Sequence, residues 1–301
     1  MFRTMPSEYR NKPFTLLILM VLVLGWTHCL SQNIPRAYTA HYTDESISID
    51  GKAEESAWKK APWSDSYIDI EGEKIPKYET KMKMLWNDHY LFIHAKLEEP
   101  HVWGTLRKRD TIIFYNNDFE IFIDPDGDTH NYYEFEMNVL NTVWDLFLSK
   151  PYRNHGTILG DWDFKGLQSA VTIQGTLNNA SDTDEGWQLE IAIPWLFKAH
   201  PGGQTKSPKN EFWRMNFSRV NWNFDLEDGR YRRAKDKKTR DFLPEYNWVW
   251  SPQGVINMHE PEHWGYVYFS EKLVGEKDDF EIPKDEYIKW FLYELYREQL
   301  K

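Results

Sequence analysis

Cysteine is almost absent. The 301-residue chain has one, Cys29, so no disulfide within the chain can brace the fold and no thiolate zinc cluster can be built. Basic residues are in deficit. There are 36 Lys and Arg against 47 Asp and Glu, a net charge of −11, which argues against nucleic acid and anionic lipid as partners. Long apolar runs are missing as well. The segment "FTLLILMVLVLGW", Phe14–Trp26, is thirteen residues that are apolar apart from Thr15 and Gly25, short of the ~20 that a membrane-spanning helix needs. No repeat of solenoid or propeller period occurs. G-x-S-x-G, the P-loop and the dinucleotide fingerprint are not found, so nothing points to serine-hydrolase, nucleotide or hydride-transfer chemistry.

The apolar run has the surroundings of a secretory signal peptide. Arg3, Arg10 and Lys12 precede it and the short residues "THCLSQ" follow. This order predicts export, with residues 1–31 removed after Ser31 and Cys29 at the −3 position. A lipoprotein signal anchored at Cys29 is the alternative, although Trp26 and His28 are bulky for a lipobox, and an uncleaved N-terminal anchor is a further one. Removal would leave 33 basic and 46 acidic residues, a net charge of −13, and no cysteine. About 270 residues then build their core from apolar burial alone, enough for one large domain. The expected compartment is periplasmic, cell-envelope or extracellular.

Aromatic residues are in surplus: fourteen tryptophans follow residue 31. A heavily aromatic β-core accounts for most of them. An exported acidic protein rich in Trp and Tyr also suits carbohydrate, because sugar C–H faces pack on flat rings. From residue 45 to about 270 the chain reads as short strands with turns between them. "SISIDG" opens the series and "KAEESAWKKAPW" is a short helical or irregular turn. "TKMKMLWNDHYLFIHAKLEEP" is a hairpin turning at "NDH". In "DFEIFIDPDGD", Phe119, Ile121 and Ile123 face one way and Glu120 and Phe122 the other. "NYYEFEMNVLN" puts Tyr133, Phe135, Met137 and Val139 on one face. "VWDLFLS", "SAVTIQGTLN", "GWQLEIAIPW" and "FWRMNFSRVNW" continue the pattern. The expected fold is all-β, an antiparallel β-sandwich or jelly roll. Its predicted limits are 45–272, after a lead-in over 32–44. Residues 223–247 form a long charged loop. A helical extension over 273–301 carries the stripe Ile288, Phe291, Leu292, Leu295, expected to pack on the sandwich or on a partner.

"HEPEH" at 259–263 fits the letters of a zinc-protease helix, H-E-x-x-H. The chemistry needs both histidines on one helix face. Pro261 lies between them and would break a helix interior, and the strand pattern "WGYVYFS" begins at once. A loop entering the last strand is the expected structure.

The strands "DFEIFIDPDGD", "YYEFEMNVLN" and "WDL", together with "GWQLEIAIPW", "FWRMNFSRV" and the ending "WSPQG…PEHWGYVYF", resemble the family 9 carbohydrate-binding modules. The resemblance covers roughly residues 45–270 and implies a DOMON-like β-sandwich that binds sugar chains or chain ends, sometimes with a structural calcium ion. The chain looks closest to stand-alone exported members. In sugar-binding members one tryptophan lies shortly before the "EIFID" strand and another in the loop before the final strand. Here those places hold "FYNN", with Phe114 and Tyr115, and "INMHEPEH". Glu136 stands where some members have a binding arginine. Glu120 matches a polar binding position.

Alternation adds an independent argument. Opposite the core, one strand carries Glu120 and another Glu134, Glu136 and Asn138. A third carries Gln188 and Glu190, and a fourth Arg214, Asn216 and Ser218. Were these strands neighbours, they would line one polar face suited to hydroxyls; an ordinary solvated face of cross-strand pairs has the same composition. The expected function is non-catalytic glycan binding, assisting polysaccharide capture or degradation. Trp103, Tyr115, Trp144 and Trp222 would serve as aromatic platforms. Glu120, Glu136, Asn138 and Arg219 would make polar contacts, with Asn257 and His259 at the rim. The alternatives are a glycosidase using paired carboxylates and an envelope interaction protein using the terminal helix. No cofactor is expected beyond a structural calcium at Asp124, Asp126 and Asp128, where "DPDGDTHN" offers hard oxygen ligands but also reads as a simple Asp-Gly turn.

Overall fold

The computed structural model describes residues 34–195 and 206–300. The expected signal peptide, its cleavage point and Cys29 lie outside the described residues. Two compact units are distinguished: Pro35–Ile282, and a second that carries Pro283–Lys301.

Among the described residues the strands are, in chain order, β1 (Ala37–Tyr42), β2 (Ile68–Asp69), β3 (Thr80–Trp86), β4 (Tyr90–Glu98), β5 (Asp118–Asp124), β6 (Tyr132–Asn138), β7 (Val143–Leu148) and β8 (Ile158–Leu159). They continue with β9 (Gln168–Gln174), β10 (Gly186–Pro194), β11 (Phe212–Asn221), β12 (Phe224–Glu227), β13 (Arg230–Arg233), β14 (Tyr246–Val249) and β15 (Gly265–Leu273). The helices are α1 (Ser56–Lys60) and α2 (Lys284–Gln299).

Hydrogen bonding runs in the order β8-β7-β6-β5-β11-β15-β1-β3-β4-β10-β9, with β14 on β11 and β2 on β14. The ribbon closes on itself as a sandwich because β1 is the corner. All six of its residues pair with β15, with a register shift between His41 and Tyr42, and His41 and Tyr42 also pair with Leu85 and Trp86 of β3. Strands that change sheets at a bulge make such corners. One leaf holds β5, β6, β7, β11 and β15, and the other β3, β4, β9 and β10. The inward rows Phe119-Ile121-Ile123, Leu91-Ile93-Ala95 and Leu189-Ile191-Ile193 meet in one cluster with Trp86, Trp213 and Trp250. Gly265 is required where β15 enters: a Cβ there would stand 2.4 Å from the Trp250 ring and 2.8 Å from the Arg36 carbonyl.

The antiparallel pairing of β3 with β4 across Asn87–His89 matches the expected hairpin, and the Asn87 side chain caps the turn by accepting the His89 and Tyr90 N–H groups. Three segments differ from expectation. The lead-in over 32–44 contains β1, an interior strand, so the sandwich begins upstream of residue 45. "SISIDG" is not a strand. Its Ile47 and Ile49 instead pack on the Trp58 cluster, and the Ser48 N–H donates to Glu55. The charged stretch over 223–247 is not a plain loop either, since it folds into the β12–β13 hairpin and the start of β14.

Helix α2 forms where the period changes. Its buried residues are Glu286 and Trp290, whereas Ile288, Phe291, Leu292 and Leu295 are exposed. The burial therefore falls on a different face from the expected apolar stripe. Among the described residues no helix is long and apolar enough to cross a membrane.

Candidate ligand-binding site

The outer face of the β11-β5-β6-β7 leaf carries the site. Register sets its rows. Ser218, Glu120, Glu136 and Trp144 lie side by side on four successive strands, and Asn216, Phe122, Glu134 and Leu146 form the next row. Two-residue alternation along strands with Phe119, Ile121, Phe135 and Met137 inward puts these residues outward. A cavity of about 330 Å³ opens over them, walled by Phe114, Tyr152, Arg153, Asn247, Ile256, Asn257 and His259.

Built interactions hold the walls. The loop over 255–259 is fixed from below: Trp264 Nε1 donates to the Met258 carbonyl at 2.8 Å and Gln253 Nε2 to the Asn257 carbonyl at 2.9 Å. Asn257 Nδ2 donates to Glu260. Arg214 donates to the Glu262 and Trp264 carbonyls and pins the short 3₁₀ turn Pro261–His263. His259 turns inward. Burial, with Arg153 adding to it, lowers its pKa to about 3, so the ring is neutral at pH 7. Its Nδ1 lies 2.8 Å from the Tyr132 hydroxyl, which burial keeps protonated, and its Nε2 faces Glu134 at 3.8 Å. Tyr152 covers it edge-on at 4.6 Å between ring centres. His263 instead pairs with Glu260 at 3.3 Å. The two histidines of "HEPEH" thus point to different surroundings, as the proline between them requires.

The floor is acidic. Asp118, Glu120, Glu134 and Glu136 are all buried. Burial, reinforced by Glu120, raises Asp118 and Glu134 well above the usual carboxylate range. Burial and then Glu134 do the same to Glu136. Burial pushes Glu120 up to about 7. The charged forms are penalised because little compensates them: Glu136 accepts the Phe114 N–H at 3.0 Å and Asp118 Oδ1 the Val220 N–H at 3.2 Å. Trp144 is half-buried beside them, its indole N–H tied to the Gly160 carbonyl at 2.9 Å, so that its ring is held in place.

Of the residues expected in the site, Glu120, Glu136, Trp144, Asn257 and His259 line this cavity. The others do not, and each has a physical reason. Arg219 shares the inward parity of Phe217. It is fully buried, pairs with Glu99 at 2.8 Å, donates to Thr80 and stacks on Trp248. Asn138 is spent on the β6–β7 turn, accepting from Leu140 and Thr142 and donating to the Leu106 carbonyl. Trp103 is buried and stacked on Tyr231, and Trp222 is buried with its N–H on the Phe114 carbonyl. Tyr115 is exposed outside the cavity, under the Arg233 guanidinium at 4.3 Å. The single polar face across four strands also dissolves. On β11, Asn216 clamps the Ser251 backbone, while Arg214 holds the turn. On β10, Glu190 belongs to the other leaf, where it accepts from Gly51, Lys52 and the Trp58 indole. Asp124, Asp126 and Asp128 do bring carboxylate oxygens within 4.8 Å of one another. Asp124 also closes its turn by accepting the Gly127 and Thr129 N–H groups, so turn chemistry accounts for its place.

Sequence reasoning missed Tyr152, Arg153 and Ile256 as wall residues. They come from the turn after β7 and the loop before β15, and no periodicity marks such positions. Phe114 does sit in the "FYNN" stretch before the β5 strand.

Known proteins place this architecture. Curated relatives include endo-1,4-beta-xylanase C of Paenibacillus barcinonensis, 31% identical over 147 residues, or 49% of this chain and 11% of that protein. Exoglucanase XynX of Acetivibrio thermocellus is 26% identical over 113 residues, 38% of this chain and 8% of that protein. The chain therefore spans about a tenth of the length of these relatives. Among solved structures, a putative carbohydrate-binding protein from Bacteroides uniformis matches with a TM-score of 0.56 at 17% identity, covering 78% of this chain and 99% of that one. A family 9 module from Caldicellulosiruptor kristjanssonii in complex with cellotriose matches with a TM-score of 0.50 at 15% identity, covering 82% and 98%. The family model for carbohydrate family 9 binding domain-like proteins matches residues 49–267, and the chain belongs to that family.

Proposed function

We propose that this protein is a non-catalytic glycan-binding module, and that the cavity over β5, β6 and β7 receives the end of an oligosaccharide or polysaccharide. One observation carries the reading: in a fold of this family, buried hydrogen-bonding carboxylates and a fixed tryptophan meet in one cavity. Sugar hydroxyls need acceptors and sugar C–H faces need flat apolar surface. Glu120, Glu134 and Glu136 supply the first; Trp144, Phe122 and Tyr152 supply the second. The volume of about 330 Å³ is near the lower end for ligand sites, ~300–1,000 Å³, which favours a chain end over a long segment. The family match and the relatives named as xylanase and exoglucanase make plant-wall β-glucans and xylans the first ligands to try. Export to the envelope or beyond agrees with such a ligand.

The same carboxylates support a second reading. Asp118, Glu120 and Glu136 have oxygens within 4.8 Å of one another, and a glycosidase needs one protonated and one ionised carboxyl at about 5–10 Å. Calorimetric titration with cello- and xylo-oligosaccharides, in buffers with and without calcium, tests the first reading. Reducing-end release from the same panel tests the second. Failure of the folded protein to bind any member of a broad glycan panel under either condition overturns the glycan reading.

A further inference from the structure

We propose that Asp118, Glu120 and Glu136 hold a hard divalent cation of calcium type at the floor of the cavity, with open coordination positions facing the ligand. The part that concerns sugar rests on the function proposed above; the ion site does not.

Spacing comes first. One oxygen of each carboxylate lies within 4.8 Å of one from each of the others. Calcium binds oxygens at about 2.3–2.6 Å, so ligands across the ion stand up to roughly 5 Å apart. The donors are all carboxylate oxygen, the chemistry of calcium, magnesium or manganese rather than zinc or copper.

The second observation is independent of spacing. Asp118 is completely buried, and its Oδ2 receives no hydrogen bond. An orphaned buried acceptor is costly and calls for an explanation. Its other oxygen is used by the Val220 N–H. Among the described residues neither Asp118, Glu120 nor Glu136 forms a salt bridge, and the guanidinium of Arg219 is committed to Glu99. Three acids thus converge below the protein surface with no cationic side chain between them. Glu134 lies beside Glu136 on the same strand face as a fourth carboxyl group.

Depth chooses between a bare ion and a ligand ammonium. Glu120 and Glu136 line the cavity but Asp118 does not. An amino sugar seated in the cavity would leave Asp118 unserved, whereas a small ion can sit among all three. Such an ion would be only partly enclosed, and two vicinal hydroxyls of a sugar would complete its shell.

Purified protein stripped with a chelator and titrated with calcium chloride alone tests the site. One equivalent should bind, at least ten-fold more weakly in Asp118→Asn and in Glu136→Gln, and unchanged in Asp126→Asn. Asparagine keeps the acceptor for Val220, and circular dichroism reports whether the variants fold. Should they not fold, terbium luminescence in the parent decides. Emission excited through tryptophan and displaced by calcium should fall in Trp144→Phe, since Trp144 is the cross-strand neighbour of Glu136. No calcium or terbium binding, or binding indifferent to Asp118→Asn in a folded variant, overturns the proposal. Oligosaccharide affinity should drop at least ten-fold in chelator. Sugar binding that ignores chelation removes the ion's role in recognition and leaves the glycan reading standing. Calcium binding with no glycan binding does the reverse. Tighter binding of glucosamine oligomers than of neutral ones in chelator, lost in Glu120→Gln, overturns the ion in favour of an ammonium.

Discussion

Glu120→Gln should stabilise the ion-free protein, and only above a certain pH. Glu120 is buried among Glu134, Glu136 and Asp118, and its pKa in the fold is about 7 against an ordinary 4.5. Burial is the main cause, with Glu245 adding to it and the Ser218 side chain opposing it. The sign follows from linkage. Below about pH 4.5 the folded and unfolded chains both hold the proton, and glutamine, a near copy of the neutral acid, should match the parent. Between that pH and about 7 the unfolded chain has released the proton while the folded chain keeps it, so the parent loses stability as pH rises. Above about 7 the loss is complete. A pKa raised from 4.5 to about 7 corresponds to roughly 3 kcal/mol, or about 6–12 °C in Tm for a domain of this size. Urea unfolding followed by tryptophan fluorescence, in chelator from pH 4 to pH 8, measures it. The variant-minus-parent difference should climb from near zero and level off near pH 7–8. A difference that stays flat across that range, or a variant that is less stable at every pH, would refute the reasoning.

Further outcomes can be checked with the same protein. Glu120→Gln and Trp144→Ala should each weaken oligosaccharide binding by about ten-fold or more, since a charge-assisted bond or a stacked ring is worth ~1.5–3 kcal/mol and 1.4 kcal/mol is a decade; titration calorimetry reads both. Arg219→Ala should cost about 3–5 kcal/mol of stability, because it takes the guanidinium from the buried Glu99 carboxylate and leaves it only the Asn117 and Asn221 amides, and chemical denaturation reads the loss. Mass spectrometry of exported protein should find an N-terminus near Gln32, and a lipid adduct on Cys29 would replace that outcome with the anchored form.

Most of the sandwich could be read from the residues because its strands alternate. Phe119, Ile121 and Ile123 against Glu120 and Phe122 name both faces of β5 without a structure, and Asn87 marks the hairpin turn by its own side chain. What alternation could not reveal is long-range pairing. β1 is six residues with a threonine and a histidine among its apolar positions, and its partners β15 and β3 lie far along the chain. A parallel pair has no tight turn to announce it. The reverse error, "SISIDG", shows why a period of two is not sufficient: Ile47 and Ile49 alternate as in a strand, yet they find their burial on Trp58, and Glu55 rather than a ladder takes the Ser48 N–H.

The site divides along a different line, between charges that have a partner and charges that do not. Arg219 and Glu120 are both buried, and sequence reasoning placed both on the ligand side. Parity alone separates them, since Arg219 follows Phe217 inward while Glu120 opposes Phe119 and Ile121. Energetics completes the separation. Arg219 has Glu99, Thr80 and the Trp248 ring around it, so its charge is paired from within and its removal should destabilise the protein. The acids of the cavity floor have two backbone N–H groups, the Ser218 side chain and the neutral His259 ring beside them, and no cationic side chain. A fold that needed those acids only for packing would gain from neutral side chains in their place, which is why the stabilising sign expected for Glu120→Gln bears on function as well as on stability. Arg219 and Glu120, on neighbouring strands one register step and one face apart, thus divide the paired scaffold from the proposed site.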